Sequence, residues 1–182
     1  VSSPVARSIS SFAFFRAPSL QPRAPPMKTL RLLAEYHPRL LRGHPWAWRG
    51  DFAPEALAGL SPGEPIRLES SHGDFLGVGF ANPRSHVAGR LGSREDRPPD
   101  ADLIRARLDR ALAWRERVRS GTAVCRLVYG ESDGLPGLAA DRYGPVLVLS
   151  QTVAGMEPWT DLVAAELDRR LRPEVIILKN TN

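Results

Sequence analysis

Pro98 and Pro99 stand side by side after Arg97, and no regular element can run through them. Consecutive prolines lack the amide hydrogen a sheet ladder needs and clash inside a helix, so Arg97-Pro98-Pro99 divides the chain. Ahead of the break, short apolar stretches alternate with turn chemistry: Thr29 to Leu33, Pro65 to Glu69, Phe75 to Phe80 and Val87 to Leu91. Ser71-His72-Gly73-Asp74 between two of them reads as a hairpin turn in which Asp74 caps its own backbone. Several short strands with one helical turn suggest a small, partly open barrel over residues 27–96. Beyond the break, over residues 100–182, the pattern changes. Asp100 or Asp102 can cap a helix running to about Arg119 and stopped by Gly121, with Ile104, Leu108, Ala111, Trp114 and Val118 as one core stripe. Strands follow at Val124 to Tyr129, Leu138 to Asp141 and Val146 to Gln151, then a helix from Pro158 to Arg172 and a strand from Val175 to Leu178. The class is α+β: a small β-barrel, then a mixed α/β domain ordered helix, three strands, helix, strand.

Residues 1–26 contain Ser, Pro and Arg, no acid and no hydrophobic periodicity, and are expected to be a disordered extension lying ahead of a start at Met27. The formal charge is +5, and it falls to +2 without Arg7, Arg16 and Arg23 of that stretch. Only Lys28 and Lys179 are lysines among the 25 basic residues, so the basic character is nearly all guanidinium. Guanidinium forks bind phosphate in a bidentate way and stack on bases, which suits RNA; a GC-rich genome produces the same bias, and composition leaves both explanations standing. No apolar run approaches the roughly 20 residues of a membrane span. A single cysteine, Cys125, excludes an internal disulfide and a multi-cysteine zinc site, and its apolar neighbours make it a buried core residue. A reducing cytoplasm fits this usage.

Two segments carry residues suited to chemistry. In His37-Pro38-Arg39-Leu40-Leu41-Arg42-Gly43-His44-Pro45-Trp46-Ala47-Trp48-Arg49, basic and aromatic side chains interleave. Arg39, Arg42 and Arg49 can take phosphates while an exposed His44 or Trp46 could stack on an unpaired base. The competing reading puts Trp46 and Trp48 in the barrel core, and for the tryptophans it is preferred. The second segment, Tyr129 to Leu138, holds Glu131 and Asp133, with Arg142 soon after. Two carboxylates two residues apart could do acid and base work, yet Ser-Asp-Gly and Leu-Pro-Gly are ordinary turn formers. Known catalytic patterns are missing, including any Gly-rich strand-to-helix turn that would cradle S-adenosylmethionine. No metal-ligand cluster and no catalytic residue can be named.

Leu41-Arg42-Gly43-His44-Pro45-Trp46, Gly79-Phe80-Ala81-Asn82-Pro83-Arg84-Ser85 and Cys125-Arg126-Leu127-Val128-Tyr129-Gly130-Glu131-Ser132-Asp133-Gly134-Leu135-Pro136-Gly137-Leu138, with Asp141-Arg142-Tyr143-Gly144, together resemble the class I large-subunit rRNA cytosine-5 methyltransferases. The resemblance runs from Lys28 to the end. It implies an N-terminal PUA domain that grips RNA and a small central α/β domain, with the Rossmann-like domain that binds S-adenosylmethionine absent and Asn182 an accidental end. The nucleophilic cysteine of that family belongs to the absent domain, so Cys125 is not carried over and no cofactor is expected in this chain. The implied partner is RNA, 23S rRNA by family, with Arg39, Arg42, His44, Trp46, Arg49 and Arg84 as contact residues. Glu131, Asp133 and Arg142 are expected at a cleft or domain interface. A homodimer through a surface left uncovered by the catalytic domain is a further expectation. The alternative reading is a non-catalytic protein-interaction or structural module.

Overall fold

The computed structural model of the chain describes residues 27–33, 38–119 and 121–180; the expected extension over residues 1–26 and His37 lie outside them. The first half forms a five-stranded sheet from β1 (Lys28–Arg31), β2 (Trp46–Trp48), β3 (Pro65–Glu69), β4 (Phe75–Ala81) and β5 (Val87–Ser93), with a one-turn helix α1 (Pro38–Leu41) before β2. The order is β1-β3-β4-β5-β2; β1 runs parallel to β3 and the other neighbours are antiparallel. Its two edges are drawn together just past their strands, where the Leu33 amide donates to the Asp51 carbonyl at 2.8 Å. Alternation dictates the inner face: Ile66 and Leu68 of β3 are fully buried and join Leu30, Leu40, Ala47, Phe52 and Leu76 in one core. The turn at 71–74 forms, but Asp74 does not cap it. The buried Ser70 hydroxyl accepts from the amides of His72 (3.2 Å) and Asp74 (3.0 Å).

Strand β2 was not expected, because three residues between His-Pro and Arg-Gly are too short to show a period. Its geometry corrects the reading of the tryptophans. Ala47 is the inward residue, fully buried, so Trp46 and Trp48 on either side of it face outward, Trp48 with 40% of its surface exposed.

Past the prolines comes α2 (Ala101–Arg119), capped by the Asp100 carboxylate, which accepts from the Leu103 amide at 2.8 Å. A four-stranded sheet follows in the order β6 (Val124–Tyr129), β7 (Leu138–Tyr143), β8 (Val146–Gln151), β9 (Val175–Asn180), antiparallel except for the parallel pair β8 and β9. Helix α3 (Thr160–Leu171) makes the crossover between those two, and the turn containing Pro158 is a separate 3-10 segment, Ala154–Trp159, rather than the start of the helix. Both helices pack on one face of the sheet, where Ile104, Leu108, Leu127, Leu138, Leu147, Leu149, Val163 and Leu167 make the second core.

Two residues of the expected α2 stripe are not in that core. Trp114 and Val118 are 52% and 50% exposed. The first three turns of α2 bury Ile104, Leu108 and Ala111, whereas Trp114 and Val118 line an open cleft with Val124, Cys125 and Arg126 of β6. Cys125 is also only half-buried, at the end of β6 where a cleft of about 690 Å³ opens between α2, the β6–β7 hairpin and Arg170.

One aromatic ring links the cores of the two sheets. Phe80 extends from β4 into the second core, against Met156 and its neighbours. Gly155 makes room for it, since any side chain there would collide with the Phe80 ring.

Candidate nucleic-acid interface

The outward face of β2 gathers aromatic groups because residues two apart on a strand share a side. Trp46 meets Trp48 edge-to-face at 6.0 Å and His44 at 5.8 Å. The His44 Nδ1 accepts from the Trp46 amide at 3.1 Å, which fixes the imidazole beside the strand. Trp46 is held on two further sides: the Arg90 guanidinium lies 5.1 Å from its ring centre, and its indole N–H donates to Glu131 at 2.8 Å. Trp48 has no such clasp and is the more open ring, although the sequence singled out Trp46 for stacking.

The arginines named from the sequence fall into two groups. Arg39 pairs with Asp51, a carboxylate almost wholly buried that also accepts from the Trp48 amide at 2.7 Å. Arg49 donates to the carbonyls of Pro83 and Ser85, tying the end of β2 to the turn before β5. These two brace the loops on which the others sit. Arg42 and Arg84 are exposed, one leading into β2 and the other on the turn that Arg49 holds. Sequence reasoning missed Trp48, Arg90 and Arg94. Arg94 donates to the carbonyls of Leu76 and His44, and no ion pair engages it among the described residues. Its charge is partly desolvated, which lowers its pKa. Nothing in a linear reading marks it, because its neighbours in space lie 18 and 50 residues away.

Glu131 and Asp133 belong to a 3-10 turn, Gly130–Asp133, between β6 and β7, which Gly134 closes in the left-handed region (φ 72°). Glu131 reaches from the second sheet to the first, accepting from Trp46 and from Arg90 at 2.8 Å each. Burial works against its charged form, but the hydrogen bonds from Trp46, its own backbone amide and Arg90 outweigh it and hold the carboxyl below the usual range. Asp133 faces the other way, taking a two-pronged pair from Arg115 at 2.6 and 2.7 Å and the Tyr129 amide at 2.6 Å. Both carboxylates are thus engaged with partners from other elements. Arg142 donates to the Gly144 carbonyl at 3.0 Å and lines the cleft beside Cys125, on the helix-facing side of the sheet. The structure thus brings Trp46, Arg90 and Glu131 together and leaves Arg142 apart from them. No group of three or more potential metal ligands gathers among the described residues.

Comparison with known proteins fits this geometry. Residues 30–94 match a family model described as a PUA-like domain. Proteins named ribosomal RNA large subunit methyltransferase I align with most of the chain: that of Salmonella arizonae is 38% identical over 122 residues, covering 65% of this chain and 30% of its own length. That of Cronobacter sakazakii is 34% identical over 141 residues, covering 76% and 35%. The chain resembles the N-terminal part of these methyltransferases. It spans about a third of the length of these relatives. A solved structure described as a SAM-dependent methyltransferase from Streptococcus mutans superposes with a TM-score of 0.71 at 17% identity, covering 84% of this chain and 41% of the other, and shows the same fold.

Among the described residues, one turn suited by position to a methyl donor is closed. The place where an α/β sheet would hold a nucleotide-like ligand is the turn leaving β8 toward α3. Here that turn is filled by the Phe80 ring against Gly155. No helix among the described residues is long and apolar enough to cross a membrane.

Proposed function

We propose that this chain is the RNA-gripping front of an S-adenosylmethionine-dependent 23S rRNA cytosine-5 methyltransferase, with a PUA-like domain at 27–96 and a central α/β domain from residue 100 onward. The match of residues 30–94 to a PUA-like domain, in relatives named for rRNA methylation, carries the reading. The outer face of β2 supports it. Exposed Trp48 offers a stacking surface, and Arg42 ahead of β2, Arg84 on the turn before β5 and Arg94 just after β5 carry guanidinium charge that no ion pair neutralises among the described residues. Donor binding and the attack on cytosine C5 fall to the two-thirds of the relatives' length that the chain does not match. The residues present are thus read as the part that binds RNA.

The test is fluorescence anisotropy with a labelled 23S rRNA hairpin across a salt series. Affinity should fall linearly on logarithmic axes, by about 0.7 to 0.9 decades per decade of salt for each phosphate contact. Replacing Arg42 and Arg84 together by Ala should flatten that slope by about two contacts while leaving the melting curve unchanged. Absence of binding at low salt, with a stable complex to a protein partner instead, would favour the interaction-module alternative.

A further inference from the structure

Helix α2 segregates its charges. Arg107, Arg110, Trp114 and Arg117 follow one another at spacings of three, four and three residues, which places them on one side; Asp102, Asp109 and Glu116 recur every seventh residue on another. The acids serve the protein itself, since Asp102 pairs with Arg105 and Asp109 with Arg170. The basic side has no such use. Arg107, Arg110 and Arg117 make no ion pair with a carboxylate among the described residues, although like charges three or four apart disfavour a helix. Trp114 sits among them 52% exposed, with the Arg117 guanidinium 5.2 Å from its ring centre.

This face adjoins the 3-10 turn between β6 and β7. A cleft of about 370 Å³ lies between Arg110, Trp114, Arg115 and Arg117 on the helix and Ser132 and Asp133 of the turn whose Glu131 holds Trp46. The acid in the cleft, Asp133, is already neutralised by Arg115, so the net charge there is positive. Toward the first sheet, Arg107 donates to the Gly92 carbonyl at 3.4 Å, just ahead of Arg94, which in turn reaches the His44 carbonyl. Desolvation, with repulsion from Arg110 second, lowers the Arg107 pKa, and attraction to Glu95 offsets only part of it.

We propose that the Arg107–Arg110–Trp114–Arg117 face of α2 is a second RNA-contact surface that takes a single-stranded segment, one base stacking on Trp114 and the flanking phosphates meeting the three arginines. The proposal rests on the reading of the chain as an RNA-binding protein and extends it from the PUA-like sheet across the junction. A polyanion fits better than a protein partner because the face carries three cations that make no ion pair among the described residues. Single-stranded RNA fits better than duplex because an exposed ring has nothing to stack on in a closed helix.

Two labelled RNAs separate the outcomes: a short single-stranded oligoribonucleotide and a blunt hairpin with no unpaired segment beyond its loop. With the whole chain, Trp114→Ala should weaken the single strand about five- to a hundredfold, Trp114→Phe should recover most of that, and both should leave hairpin affinity within about twofold. Arg110→Ala should lower the salt slope for the single strand by close to one contact. Trp114 and Arg110 are exposed, so thermal melts should coincide with wild type, and Trp114→Phe keeps the test valid if Trp114→Ala does not fold. Wild-type affinity in Trp114→Ala and Arg110→Ala overturns the second surface alone, as does loss of a self-associated species by sedimentation with RNA binding intact. If the unaltered chain binds neither RNA, the reading of the chain as an RNA binder falls, and this surface with it.

Discussion

The first sheet and helix α2 are both rich in arginine, and they spend it differently. Around the first sheet Arg31 and Arg67 pair with Glu69, Arg67 also with Asp96, Arg39 with Asp51 and Arg90 with Glu131. On α2 the basic side leaves Arg107, Arg110 and Arg117 without an ion pair among the described residues. A count of arginines therefore overstates the charge the first sheet can offer to phosphate. What decides the matter is the position of the acids, and these are remote in sequence: 29 residues separate Arg67 from Asp96 and 41 separate Arg90 from Glu131.

The comparison assumes that both regions belong to one rigid unit, and Phe80 offers the hardest blow against that. Phe80→Ala removes the ring that enters the second core and leaves a void lined by Leu and Met side chains. It should cost about 3 to 5 kcal/mol in urea unfolding, with the two sheets then melting in separate steps. A single transition with a small loss would show that the sheets are held mainly by other contacts. Next in size is Asp133→Ala. It strands the largely buried Arg115 guanidinium and the Tyr129 amide, and should cost about 3 kcal/mol. The contrast with Arg110→Ala, an exposed position expected to stay within about 0.5 kcal/mol, sharpens the distinction between arginines that brace the fold and arginines that face outward.

Much of the architecture was legible because it depends on local signals. Period-two stretches such as Pro65–Glu69 and Val146–Gln151, the proline break and the Asp100 cap all act within a few residues. Trp114 was misplaced because a stripe at helical spacing states that residues share a side, not that a neighbour covers it. Strand β2 was missed because its pairing with β5, far along the chain, defines it, rather than any pattern in Trp46-Ala47-Trp48. The candidate interface was half visible for the same reason. The interleaved aromatics and arginines pointed to the right segment, but the partners that lock Arg39, Arg49 and Trp46 come from distant parts of the chain.

The gentlest test bears on the bridge between the regions. Glu131 is a carboxylate that reaches from the second sheet to the first, and its pKa lies below the ordinary 4.5 of a free glutamate. A carboxyl whose folded-state pKa is depressed contributes stability that is fully present above the unfolded value and is lost as pH falls through the folded one. Glu131→Gln keeps an acceptor for Trp46 but removes the charge facing Arg90, so at pH 7 it should cost about 1 kcal/mol. That difference from wild type should shrink once the pH drops below about 4.5, because protonated Glu131 and the neutral amide of the Glu131→Gln variant then offer Arg90 the same absence of charge. Parallel melting curves for the two proteins from pH 7 to about pH 3 would mean that the link between the sheets is a matter of packing around Phe80, with the Trp46–Glu131–Arg90 contact adding orientation and no pH-dependent stability.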